Sequence, residues 1–222
     1  MRTLLILVAL CSVVSISHAQ KIGKFGSSVE KRLGPKKIRV PYTDVISYLG
    51  YAEPGSEDAI VGGKKFTYLY VWVPAVAPEL GLRMVSPANG DKVKDPIMAP
   101  NYVANKETKE FFDTYITLER SDITSLDGVT AEAIAAANWI ILDYNDDTSE
   151  LNAQPDGRKY NSLLRYKSDA GDPLRALTVG LYRIGFTTFK RGEVKGTFLA
   201  QIGAPVKLPG VIITRDINEL TK

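Results

Sequence analysis

The sequence predicts an all-β protein, an antiparallel jelly-roll β-sandwich with a few short peripheral helices. Several stretches are rich in aromatic and β-branched residues and end at Gly, Pro or Asp, which is typical of strands. Only one segment, residues 130–138, has the Ala-rich composition and the capping residue of a convincing helix. Residues 40–222 are long enough to bury one core, so we expect a single jelly-roll domain.

The first 19 residues are predicted to be a signal peptide. Arg2 precedes an apolar run over residues 4–16, and Ser17-His18-Ala19 offers a small-x-small cleavage site. Since the run is shorter than the roughly 20 residues of a membrane span, we expect an exported protein that is periplasmic, at the cell surface or secreted. Lipidation of Cys11, as in an outer-membrane lipoprotein, is the alternative, although Leu10 stands where a small residue is expected.

Residues 20–39 are predicted to form a basic flexible arm. Seven Lys or Arg residues stand there against Glu30 alone, and three Gly residues are interspersed. Segments with so much charge and so few apolar residues usually stay disordered. Docking of the arm on anionic lipid or polysaccharide is the alternative to a solvated leader.

Strands are predicted from residue 38 onward. Residues 38–51 are rich in Val, Ile and Tyr and stop at a Pro-Gly turn. Residues 66–73 are apolar or aromatic on both faces up to the next Pro, which suits a central sandwich strand. Residues 112–119 alternate with period two, which places Asp113 near the beginning of a strand.

The second half of the domain contains the helix and the last strands. The helix over residues 130–138 leads through a short apolar run into an acidic stretch, and a further strand is predicted over residues 160–166. Residues 177–189 and 195–202 flank a Gly-containing turn and predict a β-hairpin.

The single His and the single Cys, His18 and Cys11, both lie in the predicted signal peptide. A mature chain without either residue excludes Ser-His-Asp triads, cysteine nucleophiles, zinc sites with Cys or His ligands, and disulfides. Loss of residues 1–19 also lowers the formal net charge from +3 to +2, because Arg2 is their only charged residue. Only carboxylate, Lys, Tyr or Ser chemistry would then be left for an enzyme. The small net charge gives no indication of a nucleic-acid partner, and we expect none.

Oxygen donors crowd together in the run Leu142-Asp-Tyr-Asn-Asp-Asp-Thr148, which holds Asp143, Asn145, Asp146 and Asp147. Carboxylates this close repel one another, and Ca²⁺ relieves the repulsion by taking about 6–8 oxygen ligands. A solvated turn is the alternative, because Asp and Asn are common in turns. An EF-hand fails the test, since Thr148 stands where that loop needs Gly and Gln154 where it needs Glu. If the run binds calcium, the remaining ligands must therefore come from elsewhere in the chain.

Longer segments of the chain resemble a known family, in the same order along the sequence. They are Tyr68-Leu-Tyr-Val-Trp-Val-Pro-Ala-Val76, Gly81-Leu-Arg-Met-Val-Ser-Pro87, Phe112-Asp-Thr-Tyr115, Lys159-Tyr-Asn-Ser-Leu163, Gly180-Leu-Tyr-Arg-Ile-Gly-Phe-Thr-Thr-Phe-Lys190 and Gly192-Glu-Val-Lys-Gly-Thr-Phe198. Over residues 41–203 the chain resembles the major leptospiral surface lipoprotein family, also called the haemolysis-associated lipoprotein. The resemblance implies a calcium-binding jelly roll on or beneath the outer membrane that binds matrix proteins such as fibronectin, laminin and collagens.

The resemblance also implies a ligand set for Ca²⁺. In that family an Asp-Thr pair at the head of a strand, two adjacent aspartates of an acidic loop and a tyrosine main-chain carbonyl hold the ion. Carried onto this chain, the ligands fall on Asp113, Thr114, Asp146, Asp147 and the carbonyl of Tyr160. These are the ligands from outside the loop that the acidic run by itself lacks.

Two departures from the family bear on affinity and adhesion. Tyr144 and Asn145 interrupt the acidic run, so we expect weaker calcium binding, with a Kd of roughly 10⁻⁴–10⁻³ M. The family's long Lys-rich C-terminal helix, implicated in matrix binding, is reduced to a stub over residues 216–222. The partner expected from the sequence is an extracellular-matrix protein or a polysaccharide, and the oligomeric state, a homodimer included, stays open.

Two other functions fit the same residues. Jelly rolls also host carbohydrate-active enzymes, and Asp113 with Asp146 would serve as acid and base if their carboxyl groups lay about 5–9.5 Å apart. A purely structural envelope protein without a metal is the other alternative. The sequence favours an exported, non-enzymatic calcium-binding surface or envelope protein over both.

Overall fold

The computed structural model describes residues 25–88, 93–190 and 192–222. The predicted signal peptide, residues 1–19, lies outside these residues. The strands are β1 (Gly26–Leu33), β2 (Lys36–Pro41), β3 (Asp44–Ala52), β4 (Ala59–Val61), β5 (Lys64–Val73), β6 (Glu79–Val85), β7 (Ile97–Met98), β8 (Tyr115–Arg120), β9 (Ile140–Asn145), β10 (Ser162–Lys167), β11 (Gly180–Thr187), β12 (Gly196–Ala204) and β13 (Ile212–Thr214). The helices are short: α1 (Pro100–Asn105), α2 (Ala131–Ala136) and two 3₁₀ turns (Leu126–Gly128 and Ile217–Glu219).

Two sheets form the body of the protein. The strand order is β10-β6-β12-β3-β7 in the first sheet and β13-β5-β11-β8-β9 in the second, where β4 also pairs with β5. Neighbouring strands are antiparallel except β3 and β7, which run parallel. Strands β1 and β2 pair with each other in a separate two-stranded hairpin.

Eight of the strands form a jelly roll: β3, β5, β6, β8, β9, β10, β11 and β12. Counted one to eight in chain order, they lie in the order 6-3-8-1 in the first sheet and 2-7-4-5 in the second. Early strands therefore lie beside late ones, as in a double Greek key. The prediction of an all-β, antiparallel jelly-roll sandwich is confirmed.

The main core lies between the two sheets. Tyr182 and Phe186 of β11 and Phe198 of β12 are among its largest fully buried side chains. A second apolar cluster contains Trp72 of β5 and Ile134 of α2, so the segment around α2 packs against the second sheet. Most of the aromatic residues in the strands are therefore packing residues.

The β-hairpin predicted over residues 177–202 is wrong. Strand β11 pairs with β5 and β8 in the second sheet, whereas β12 pairs with β3 and β6 in the first. The connection after Thr187 therefore crosses from one sheet to the other. The error has a physical cause, because both strands are buried and central, and a continuous apolar pattern does not tell which neighbour a strand pairs with.

The predicted flexible arm is also corrected, since its larger part is folded. From Gly26 the chain forms the β1–β2 hairpin, which Gly34 closes with a φ of 59°, as the first position of a tight two-residue turn requires. Residues 20–24 lie outside the described residues. The segment itself carries no signal for this fold, because the groups that hold the hairpin come from β6, β10 and β12.

Tyr42, directly after β2, holds the hairpin against the first sheet. Its ring lies over Gly81 and Gly203, where any added Cβ would collide with it. The Tyr42 hydroxyl donates a 2.8 Å hydrogen bond to Oε1 of the buried Glu79, and the Ser28 N–H donates to the same oxygen at 2.9 Å. Burial and the bond to Glu79 raise the pKa of Tyr42, so the hydroxyl remains a donor.

The predicted helix is confirmed within shorter bounds. Thr130 caps α2, and its Oγ1 accepts the N–H of Ala133 at 3.1 Å, which satisfies one of the free donors of the first turn. Among the described residues, the helices are all too short or too polar to cross a membrane.

Candidate metal centre

The segments that carry the predicted calcium ligands meet beside the β8–β9 pair. Asp113 and Thr114 directly precede β8, and the acidic run begins in β9 and continues beyond its end. Because β8 and β9 are antiparallel with Ile116 opposite Asn145, the chain before β8 runs beside the chain after β9. Tyr160 lies close by, two positions before β10.

Thr114, which is fully buried, joins two of these segments. Its backbone N–H donates to the main-chain oxygen of Tyr160 at 2.9 Å, and its Oγ1 lies 3.2 Å from the same oxygen. The structure thus brings these two predicted ligand residues into direct contact.

Ser162, at the start of β10, holds the third segment and was missed by the sequence analysis. Its buried hydroxyl lies 2.6 Å from the main-chain oxygen of Thr114 and 3.0 Å from that of Asp146. One side chain therefore connects the acidic loop to the chain before β8. The available signal was its place in Lys159-Tyr-Asn-Ser-Leu163, a segment that carries the family resemblance.

Asn145 shapes the acidic loop. Its Oδ1 accepts the N–H of Leu163 at 2.9 Å, and its Nδ2 donates to the main-chain oxygen of Asp147 at 3.1 Å. The residue that interrupts the run of carboxylates therefore fixes the backbone of the loop against β10. An aspartate at this position lacks the Nδ2 donor and would add another negative charge.

The carboxylates of the predicted ligands act on one another. Desolvation, followed by the charges of Asp147 and Asp146, raises the pKa of Asp113 from 3.8 to about 6, although Lys64 and Lys190 oppose the rise. Desolvation and the charge of Asp146 also raise the pKa of Asp147. Mutual repulsion of this kind is what a bound cation removes.

The predicted ligands fit Ca²⁺ in their chemistry. They offer carboxylate, hydroxyl and main-chain carbonyl oxygens, which are the donors that calcium prefers, and they offer no nitrogen or sulfur. Within residues 25–88, 93–190 and 192–222, no three His, Cys, Asp or Glu side chains are grouped closely enough to hold a metal by themselves. Coordination would therefore depend on the oxygens of Thr114 and Tyr160 as well as on the carboxylates.

Asp143 and Gln154, which were tested as EF-hand positions in the sequence, have structural roles instead. Asp143 is exposed, and its Oδ1 accepts the N–H of the next residue at 2.9 Å. Gln154 is buried, and its Nε2 donates to the main-chain oxygens of Phe112 at 2.7 Å and Ser86 at 2.8 Å. Gln154 thereby supports the chain that leads to Asp113.

An exposed aromatic surface lies beside the acidic loop, formed by Tyr144, Tyr115, Lys64 and Phe189. The rings of Tyr144 and Tyr115 are stacked with centroids 5.7 Å apart, and Tyr144 is 60% exposed. Lys64 Nζ lies 4.8 Å from the Tyr115 centroid and 5.0 Å from that of Phe189, which is 56% exposed. Large apolar groups left this open to solvent are typical of binding surfaces.

Comparison with known protein families identifies one family that matches most of the chain. Residues 36–213, about four-fifths of its length, match the family described as the surface lipoprotein of the order Spirochaetales. The match includes every residue of the predicted calcium set. No curated protein matches the chain. The predicted family resemblance and the predicted export are confirmed, and of the three expected locations the family supports the cell surface: the chain belongs to the Spirochaetales surface lipoprotein family.

Proposed function

We propose that this surface protein is a non-enzymatic calcium-binding protein, in which Ca²⁺ ties the acidic loop to the chain before β8. The convergence of three segments supports this most: Thr114 contacts the carbonyl of Tyr160, and the hydroxyl of Ser162 connects Thr114 to Asp146. Asp113 directly precedes Thr114 in the chain, and the charges of Asp146 and Asp147 act on its carboxylate. The same residues are separated by up to 49 positions in sequence, so only the fold assembles them.

Calcium, when bound, would supply a positive charge that neutralises the carboxylates, and it would link the oxygen ligands of the three segments by coordinating them. Asp113, Asp146 and Asp147 would provide carboxylates, Thr114 its hydroxyl and Tyr160 its main-chain oxygen. Because the ion binds only the folded arrangement, a hundredfold excess over Kd stabilises the fold by about 2.7 kcal/mol. The expected role of the metal is therefore to fix the acidic loop.

We further propose that the aromatic surface beside the loop contacts the partner. Tyr144 lies in β9 immediately before the loop, so the loop that calcium would fix borders a large exposed ring that the sheet already holds. Rings of this kind pack on sugar faces and on protein side chains, which suits a polysaccharide or an extracellular-matrix protein. The alternative of a carbohydrate-active enzyme that uses Asp113 and Asp146 stays a prediction.

Calorimetric titration with Ca²⁺ tests the metal site. With the mature chain from Gln20, we expect saturable one-site binding with a Kd of roughly 10⁻⁴–10⁻³ M, and weaker binding of Mg²⁺, which demands a more regular octahedral site. Thermal melts with calcium and with chelator provide an independent readout. Absence of both heat and a melting shift up to about 100 mM calcium, a hundredfold excess over the weakest expected Kd, would contradict the proposal.

The calcium-free protein should show a pH dependence that originates at Asp113. Its pKa is raised in the folded state to about 6, so the protonated form favours folding. This contribution is complete below the unfolded pKa and is lost as the pH rises through about 6. Asp113→Asn should therefore raise the melting temperature in chelator at neutral pH, by about 2–4 °C for about 1 kcal/mol after solvent screening.

The sign should reverse when calcium is present. Asp113→Asn removes a carboxylate from the proposed site, so the wild-type chain should then be the more stable of the two. Melting curves at about pH 4 and about pH 7, with calcium and with chelator, measure both effects. Equal melting temperatures of the two chains under all four conditions would contradict the assignment of Asp113.

A further inference from the structure

The tip of the β1–β2 hairpin, residues 29–37, concentrates the positive charge of the fold and is named here the basic tip. It contains Lys31, Arg32, Lys36 and Lys37 against Glu30, a net charge of +3. Three of the 28 Lys and Arg residues precede residue 25, so from there on 25 cations balance 25 Asp and Glu. The residues after position 24 outside the basic tip therefore have a net charge of −3. The +3 charge of the tip makes the total from residue 25 onward zero.

The cations of the basic tip are arranged in a way that disfavours an isolated hairpin. Arg32 and Lys37 are directly opposite in the β1–β2 pairing, and all four cations are exposed. Like charges at directly opposed positions destabilise a hairpin unless anions approach them. Glu30, the one acidic residue of the tip, lies 3.8 Å from Lys37 and 3.5 Å from Arg39. One carboxylate cannot neutralise four cations, so the basic tip remains net positive.

Apolar side chains stand among these charges. Leu33, at the turn, is 64% exposed and Val29 is 52% exposed. Leu33 is opposite Lys36, and Lys31 lies on the same face, because side chains two apart in a strand share a face. The basic tip thus presents cations around an apolar apex.

The hairpin is held firmly at its base. Arg165 Nε donates to the main-chain oxygen of Gly26 at 2.6 Å, and Glu150 pairs with Arg165 at 2.9 Å and with Arg39 at 3.2 Å. Together with Tyr42 on Gly81, these contacts fix where the tip points. The base of the hairpin is therefore fixed on the body, which reduces the ordering that binding of the tip requires.

We propose that the basic tip docks on the surface of an anionic phospholipid bilayer. A lipoprotein family places this chain at a membrane, and the hairpin is the first described element of the chain, immediately after its N-terminal segment. Each Lys or Arg near the surface of an anionic bilayer adds about 1 kcal/mol of electrostatic attraction, so a cluster of four gives appreciable binding. Docking would also hold the body at a fixed orientation above the membrane.

The apolar apex favours a bilayer over an acidic polysaccharide. Leu33 gains little from a hydrated polyanion, whereas a bilayer offers an apolar layer directly beneath its phosphates. Basic side chains around an apolar residue match this order of charge and hydrocarbon.

Vesicle flotation tests the proposal with the mature chain from Gln20, which retains the whole described fold. The probe is a phosphatidylcholine vesicle containing about one-third phosphatidylglycerol, in chelator so that calcium does not bridge the lipids. We expect binding at low salt that is lost at about 0.5 M NaCl and is absent with phosphatidylcholine alone. Because calcium is excluded, failure of the calcium proposal leaves this result unchanged.

Two variants and a control separate charge from apex. The fourfold variant Lys31→Gln, Arg32→Gln, Lys36→Gln and Lys37→Gln should lower the partition coefficient at least about tenfold. Leu33→Ser should lower it about threefold or more while leaving its salt dependence unchanged. The matched control Lys106→Gln, Lys109→Gln, Lys167→Gln and Lys207→Gln removes the same charge from exposed positions on the body and should bind almost as wild type.

Three outcomes would overturn the proposal. They are equal losses in the fourfold variant and the control, full binding of Leu33→Ser, and retention on heparin without binding to vesicles. Melting temperatures near that of the wild type confirm that each variant keeps its fold, since the substituted side chains are all exposed.

Discussion

Replacing Asp146 or Asp147 by alanine should abolish the rise in melting temperature that calcium gives the wild-type chain. Both aspartates lie in the loop that Ser162 holds beside the chain before β8, and each variant removes one proposed carboxylate ligand. The expected wild-type rise is about 5–10 °C at a hundredfold excess of calcium, from about 2.7 kcal/mol of binding free energy. Thermal melts with calcium and with chelator measure the difference.

Asp143→Ala is the matched control for this experiment. Asp143 belongs to the same acidic run and carries the same charge, but it is exposed and its carboxylate accepts a local backbone hydrogen bond. Its loss should leave most of the calcium-dependent rise in place. An undiminished rise in both Asp146→Ala and Asp147→Ala would refute the ligand assignment, and an equal loss in all three variants would reduce the effect to general attraction by negative charge.

Arg183→Ala should be the most destabilising single substitution considered, by about 3–5 kcal/mol. The Arg183 guanidinium lies 2.7 Å from Oε2 of Glu119, directly opposite on β8, and the two side chains are 15% and 6% exposed. It also lies 3.8 Å from the ring centre of Tyr68 and 4.0 Å from that of Trp139, between two aromatic faces. Its removal leaves the Glu119 carboxylate buried without its cation.

Denaturant unfolding of two further variants checks this explanation. Arg183→Met combined with Glu119→Leu should recover much of the lost stability, because the buried charge is then removed together with its partner. Arg158→Ala serves as the control, since Arg158 and Asp156 are 3.7 Å apart and largely exposed, and such pairs contribute about 0–1 kcal/mol. A loss in Arg183→Ala no greater than in Arg158→Ala would contradict the prediction.

Much of the fold could be predicted because local patterns reflect burial. The apolar run predicted over residues 66–73 is strand β5, and the Ala-rich segment after Thr130 is helix α2. The pairing partners of the strands could not be predicted in the same way. Strands β11 and β12 are adjacent in sequence and buried on both faces, so nothing in their patterns shows that they belong to opposite sheets.

The β1–β2 hairpin and the supports of the candidate metal site could not be predicted, because their contacts join residues that are far apart in sequence. Tyr42 docks because Gly81 and Gly203 leave room for its ring, yet glycines so distant in sequence carry no signal for that contact. The family resemblance identified the proposed ligands, but it did not identify the residues that hold them in position. Ser162 and Asn145, which position the loop through hydrogen bonds, are ordinary polar residues until the fold brings them to it.

The position of β12 between β3 and β6 has a consequence for how the chain assembles. The first and last strands of the jelly roll are neighbours, so the first sheet cannot close until the chain is complete through about residue 204. Closure over so long a stretch makes folding slow compared with local structure such as α2. A chain cut before Gly196 would leave both β3 and β6 with an open hydrogen-bonding edge, and such edges recruit strands from other molecules. Premature termination before Gly196 should therefore yield aggregates rather than a smaller folded domain.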